Sequence, residues 1–139
     1  MSRVINPNAP GKQRSQLIRA TAIALRELMQ HPEPDDTSRD LAAFIGLTLE
    51  AVAETIEPTV VAWEKRGYWL KADRFRLEWE WARLQGRTMR QAVLGDDWGL
   101  IAQTIVQIAQ QLGDVKVSAN HRLGRPWVGS YQHLRAHPE

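Results

Sequence analysis

Apolar residues recur at three- and four-residue spacing through four stretches of the chain, the period of a helix with one buried face. In the first, Leu17, Ile18, Leu25, Leu28 and Met29 share a face with Ala24, while Arg19, Arg26 and Gln30 lie opposite. The pattern predicts a helix from about Lys12 that stops at His31-Pro32-Glu33-Pro34. In the second, Ala42, Ile45, Leu49, Val52, Ala53, Ile56, Val60 and Trp63 recur, with Leu41, Phe44 and Leu47 widening the apolar arc. Thr37-Ser38-Arg39-Asp40 reads as a capping box at its start. Pro58 removes a backbone donor, so the helix is expected to kink or break after Glu57 and to end at Gly67. The third stretch predicts a helix over 70–94, with Phe75, Trp79, Ala82, Met89 and Val93 along one stripe and Leu77, Trp81 and Leu84 beside it. The fourth has Trp98, Ile101, Ala102, Ile105, Ile108, Ala109 and Leu112 inward, Asp96 or Asp97 as cap and an outer face of Gln and Thr.

Both ends lack this period. Pro7, Pro10 and Gly11 make residues 1–11 an expected extended arm, and 114–139 an irregular basic and aromatic tail with at most a short strand at 115–117. The expected fold is all-α: a four-helix bundle over 12–113, antiparallel because the connections are short.

Composition agrees with one folded domain, at 139 residues with 43% hydrophobic and 24% charged residues. The longest near-apolar run, 41–49, falls well below the roughly 18 residues of a membrane helix, and 1–10 lacks a signal peptide's apolar stretch. The expected location is therefore cytoplasmic, with no membrane partner. Cysteine is absent, so disulfides, thiolate metal sites and cysteine nucleophiles are ruled out.

Charge alternates in blocks. Residues 1–26 hold five basic and no acidic residues, 27–64 one basic and nine acidic, and 65–90 eight basic and three acidic. Two ridges stand out. Glu50, Glu54, Glu57 and Glu64 line one face of the second helical segment, opposite its apolar stripe, which favours a solvated outer face. Arg76, Arg83, Arg87 and Arg90 line one face of the third, where they can follow a run of phosphates or pair with the glutamates.

Enzyme chemistry finds little footing. No Glu-x-x-His pair of the kind that holds metals inside four-helix bundles occurs, and His31, His121, His133 and His137 lie at helix ends or in the tail. Asn8-Ala9-Pro10-Gly11-Lys12 has one glycine before its lysine and no preceding strand, unlike a phosphate loop. The dinucleotide fingerprint and the Gly-x-Ser-x-Gly elbow are missing as well. No catalytic residue, metal or cofactor is expected.

Binding has more support. Trp63, Lys65, Arg66, Trp69, Lys71 and Arg74 mix aromatics with cations, as single-strand nucleic-acid binders and protein hot spots both do. Trp79 and Trp81 point about 200° apart on a helix, so one of them, Trp81, is the expected contact residue. In the tail, Arg122, Arg125 and Trp127 form a second candidate interface, although the favoured reading of Trp127 is an aromatic anchor that docks the tail onto the bundle. Gly124-Arg125-Pro126 resembles part of an AT-hook, but Leu123 stands where the first arginine belongs, so no function follows from it. The expected function is a non-catalytic interaction protein that self-associates or joins a larger assembly. The alternative is an accessory nucleic-acid binder using the arginine ridge, with bases near Trp63 or Trp69.

Overall fold

The computed structural model describes residues 9–118 and 121–138. Among these the protein is all-helical, with six α-helices and no strand: α1 (Ala9–Met29), α2 (Asp36–Glu54), α3 (Ile56–Lys65), α4 (Trp69–Leu94), α5 (Trp98–Gln111) and α6 (Ser130–Ala136). Four helices were expected. The extra two come from the interruption within the second stretch and from the tail.

The interruption falls at Thr55, not after Glu57. A proline ring collides with the carbonyl four residues before it, and for Pro58 that residue is Glu54, the last of α2. Within α3 the same proline lies in the first turn, where an amide has no helical partner anyway. The break leaves Thr55 for another helix to bind. Arg14 of α1 donates from Nη1 to the Thr55 carbonyl (3.2 Å) and to its hydroxyl (3.1 Å).

Helix ends follow local chemistry, with one correction. Asp35, not Thr37, caps α2: its carboxylate accepts from the Ser38 amide at 3.1 Å. Asp97 caps α5 by accepting from Leu100 N at 3.1 Å. Past α3, Gly67 takes φ 81°, a left-handed conformation that glycine adopts without strain.

Helix α2 is the hub, packed against α1, α4 and α6. The pairing Thr21 to Thr48 and Arg14 to Thr55 makes α1 antiparallel to α2, and Glu50 to Arg90 with Arg39 to Asp96 makes α4 antiparallel to it. Ile23, Leu41, Ile45, Leu49, Met89 and Ile108 are fully buried in the main core. The Thr21 and Thr48 hydroxyls lie inside it 2.7 Å apart, one donating to the other, so neither is left unpaired where water cannot reach. A smaller core of Ile56, Val60 and Ala72 joins α3 to α4.

Helix α4 comes unusually close to α2 at Gly46 and Gly86. A β-carbon built on Gly86 would sit 3.1 Å from the Glu50 amide nitrogen and 3.2 Å from the Gly46 carbonyl oxygen. A glycine at 86, facing Gly46, is what this approach requires.

The tail is not irregular throughout. Trp127 is only 5% exposed and packs edge-to-face on Phe44, and Leu134 of α6 is fully buried against α2. Asp40 accepts from the Gly129 (3.2 Å) and Tyr131 (2.9 Å) amides, so the residue expected to complete a capping box instead anchors the tail. Residues 115–117 are not a strand. At the other end α1 already runs from Ala9, and the rest of the expected arm lies outside the described residues.

Candidate functional site

Helix α4 carries most of the candidate residues, and its two faces differ sharply. Ala82, Met89 and Val93 are buried inward as the stripe predicts, Ala72 is buried as well, and Phe75 and Trp79, expected on the same stripe, are only half-buried. Leu77 and Leu84, expected alongside that stripe, point to solvent instead. Leu70, Leu77 and Leu84 are 63%, 78% and 49% exposed. They are spaced by seven, so they form one outward line about 21 Å long at a rise of 1.5 Å per residue. The heptad spacing is visible in the sequence, but treating every apolar residue as inward hides it.

The arginine ridge is largely occupied by the chain's own carboxylates. Arg90 donates from Nε to Glu50 Oε2 (2.8 Å), from Nη2 to Oε1 (2.6 Å) and from Nη1 to the His137 carbonyl (2.6 Å). Arg76 contacts Glu57 (3.0 Å), Glu64 (3.3 Å) and Asp73 (3.5 Å), and Arg83 pairs with Glu80. Hydrogen bonds to carboxylates hold all three guanidiniums above the usual arginine range. Arg87 alone is exposed without an ion pair among the described residues. The two ridges therefore meet within one chain at Glu50, Glu57 and Glu64, while Glu54 stays exposed.

At the corner between α3 and α4 the expected aromatic and cationic residues do come together. Trp63, Tyr68, Trp69, Lys71, Arg74 and Phe75 line an open groove of about 720 Å³, with Glu78 as its one carboxylate. Trp63 packs edge-to-face on Phe75 at 4.9 Å, and the Lys71 ammonium lies 4.4 Å above its ring. Trp69 and Tyr68 are open to water. Lys65 and Arg66, also exposed, stand at the end of α3 beside Gly67. Arg14, which the sequence reading passed over, supports the groove from behind. Its guanidinium lies 4.8 Å from the Phe75 ring and 5.6 Å from Trp79, and burial lowers its pKa.

Other candidates fall elsewhere. Trp81 stacks on Trp79 at 6.1 Å and is half-buried, which leaves it as the flank of a surface rather than a free anchor. Trp127 is consumed by the protein's own core and cannot meet a partner while the tail is docked. Arg122 and Arg125 are exposed, Arg122 beside Arg19 and Ile23 of α1 and Arg125 beside Glu27 near the end of that helix. The His133 and His137 rings stack at 4.5 Å, and no group of three metal-ligating side chains gathers among the described residues. No helix among them is long and apolar enough to cross a membrane. No family model, characterised protein or solved structure matches the chain.

Proposed function

We propose that the protein is a non-catalytic interaction protein that pairs with a second copy of itself through the outward face of α4. One observation carries this reading: three leucines in heptad register lie open to water along a continuous 26-residue helix whose other face packs on α2, α3 and α5. Their exposures amount to nearly two whole leucine side chains per copy. Burying that surface is worth about 3–6 kcal/mol per copy before the cost of association.

A second copy fits because the line is symmetric about its middle. An antiparallel partner on a two-fold axis through Leu77 sets Leu77 on its equivalent and Leu70 against Leu84. The same operation brings Arg74 of one copy to Trp81 of the other, a cation over an aromatic face on that flank. On the opposite flank Asp73 and Glu80 would approach their counterparts; Glu80 is paired with Arg83, whereas Asp73 shares Arg76 with Glu57 and Glu64. The Arg83–Glu80 pair thus serves the interface indirectly by reducing like-charge repulsion on that flank.

Sedimentation velocity over a concentration series tests the proposal with wild type and Leu77→Glu. Leu77 touches little in the monomer, so the variant folds. Wild type is expected to move from 15.8 kDa toward twice that mass as concentration rises, and the variant to stay at 15.8 kDa. Identical behaviour of the two proteins would refute the proposal.

A further inference from the structure

We infer that the groove between α3 and the start of α4 is a binding site for single-stranded nucleic acid. The arginine ridge offered phosphate contacts in the sequence, but Arg76, Arg83 and Arg90 are committed to carboxylates. Of the cations left over, Lys71 and Arg74 line the groove, and Lys65 and Arg66 stand at the end of α3, next to its Gly67. Lys65, Arg66 and Arg74 are exposed with no ion pair among the described residues, and Lys71 rests on the Trp63 ring. Of the nearby carboxylates, Glu57, Glu64 and Asp73 share Arg76, and with Glu78 they stand as four carboxylates against five cations, a small positive excess.

This local excess of positive charge surrounds two aromatic side chains that the fold does not cover: Trp69 is 61% exposed and Tyr68 53%. Cations alone suit any polyanion. Uncovered ring faces between them suit a chain of anions that carries flat, unpaired rings at each unit, so that bases stack while phosphates meet Lys65, Arg66 and Arg74. A duplex keeps its bases stacked on each other and offers the groove only phosphates. The groove is open to solvent and, at about 720 Å³, lies within the range of ligand sites. An acidic peptide carries charge without stacking bases, and the experiment below separates it.

The test is fluorescence anisotropy with a labelled single-stranded oligonucleotide of mixed sequence, its duplex, and a labelled poly-glutamate peptide of equal charge. Each is titrated at about 50 and 200 mM salt. With three to four phosphates neutralised, single-strand affinity is expected to fall about 20- to 50-fold between the two salts. Trp69→Ala is expected to weaken binding at least about fivefold, the loss of one stacked base. Lys65→Glu with Arg66→Glu is expected to lower the salt slope by at least about one. All three substitutions are at exposed positions, and Leu77→Glu, itself outside the groove, releases Leu70 and Arg74 from the pairing of α4 and is expected to bind no more weakly than wild type, so single-strand binding measured on Leu77→Glu tests this inference whatever the outcome for the pairing. Absence of single-strand binding at the lower salt would overturn it. So would equal affinity for duplex or poly-glutamate, or indifference to Trp69→Ala.

Discussion

Replacing Gly86 by alanine sets two opposed effects against each other. Glycine in a helix interior costs about 1 kcal/mol relative to alanine, so an unhindered substitution stabilises α4 by that amount. The new β-carbon, however, meets Glu50 N at 3.1 Å, Glu50 Cγ at 3.2 Å and the Gly46 carbonyl oxygen at 3.2 Å. Two of these are backbone atoms of α2 that cannot rotate away, so the helices must part, and overpacking of this kind costs about 1–3 kcal/mol. Parting them also stretches the Glu50–Arg90 pair. Gly86→Ala is therefore expected to be destabilised by up to about 2 kcal/mol. Gly46→Ala provides the internal comparison, because its β-carbon would meet Arg90 N and the Gly86 carbonyl oxygen at 3.4 Å and Met89 Cβ at 3.5 Å, close to ordinary contact. It is expected to be neutral or more stable by up to about 1 kcal/mol. Urea unfolding followed by far-UV circular dichroism measures both, with m-values checked for equality. If Gly86→Ala proves as stable as Gly46→Ala, the reasoning about the α2–α4 approach is wrong.

Three further outcomes follow from the packing. Glu50→Ala leaves the Arg90 guanidinium, 14% exposed, without its two-point partner, and is expected to cost about 2 kcal/mol in urea unfolding, between a surface and a fully buried pair. Trp127→Ala empties a site 5% exposed and is expected to cost about 3 kcal/mol, with faster amide exchange throughout α6 if Trp127 is what holds the tail to α2. Asp35 has its pKa lowered by hydrogen bonds from His31 and from the Ser38 amide, so its contribution is complete above the ordinary carboxylate range near pH 4 and is lost as pH falls through the lower folded value. Asp35→Asn is expected to flatten that part of an acid-unfolding curve, and an unchanged curve would contradict the cap.

The buried faces were legible because burial imposes a period. Ile45, Leu49 and Val52 on α2, and Ala82, Met89 and Val93 on α4, are where three- and four-residue spacing puts them. The same rule fails at Leu77 and Leu84, since hydrophobicity records only that a residue avoids water and not which neighbour shields it. Charge spacing showed two ridges, but whether they meet depends on the α2–α4 approach, which rests on Gly86, a single glycine with no periodic signature. Thr55 ends up between two helices because a proline acts on the carbonyl four residues earlier, a reach that placing the break beside Pro58 overlooks. Trp127, as an isolated aromatic anchor, pointed to a docked tail, but the stretch around Leu134 is too short to show a period, so α6 had no pattern to betray it. Of the corner groove, the residues were visible from their density alone. Their freedom from ion pairs was not.

The pairing of α4 is tested most directly by disulfide trapping, since the chain has no cysteine of its own and each introduced thiol is unique. Under mild oxidation Leu77→Cys is expected to run as a covalent dimer on a non-reducing gel. Leu70→Cys alone should stay monomeric but should link to Leu84→Cys when the two are mixed, because an antiparallel two-fold brings only those positions together. Failure of Leu77→Cys to link at any concentration, or self-linking of Leu70→Cys, would contradict the account.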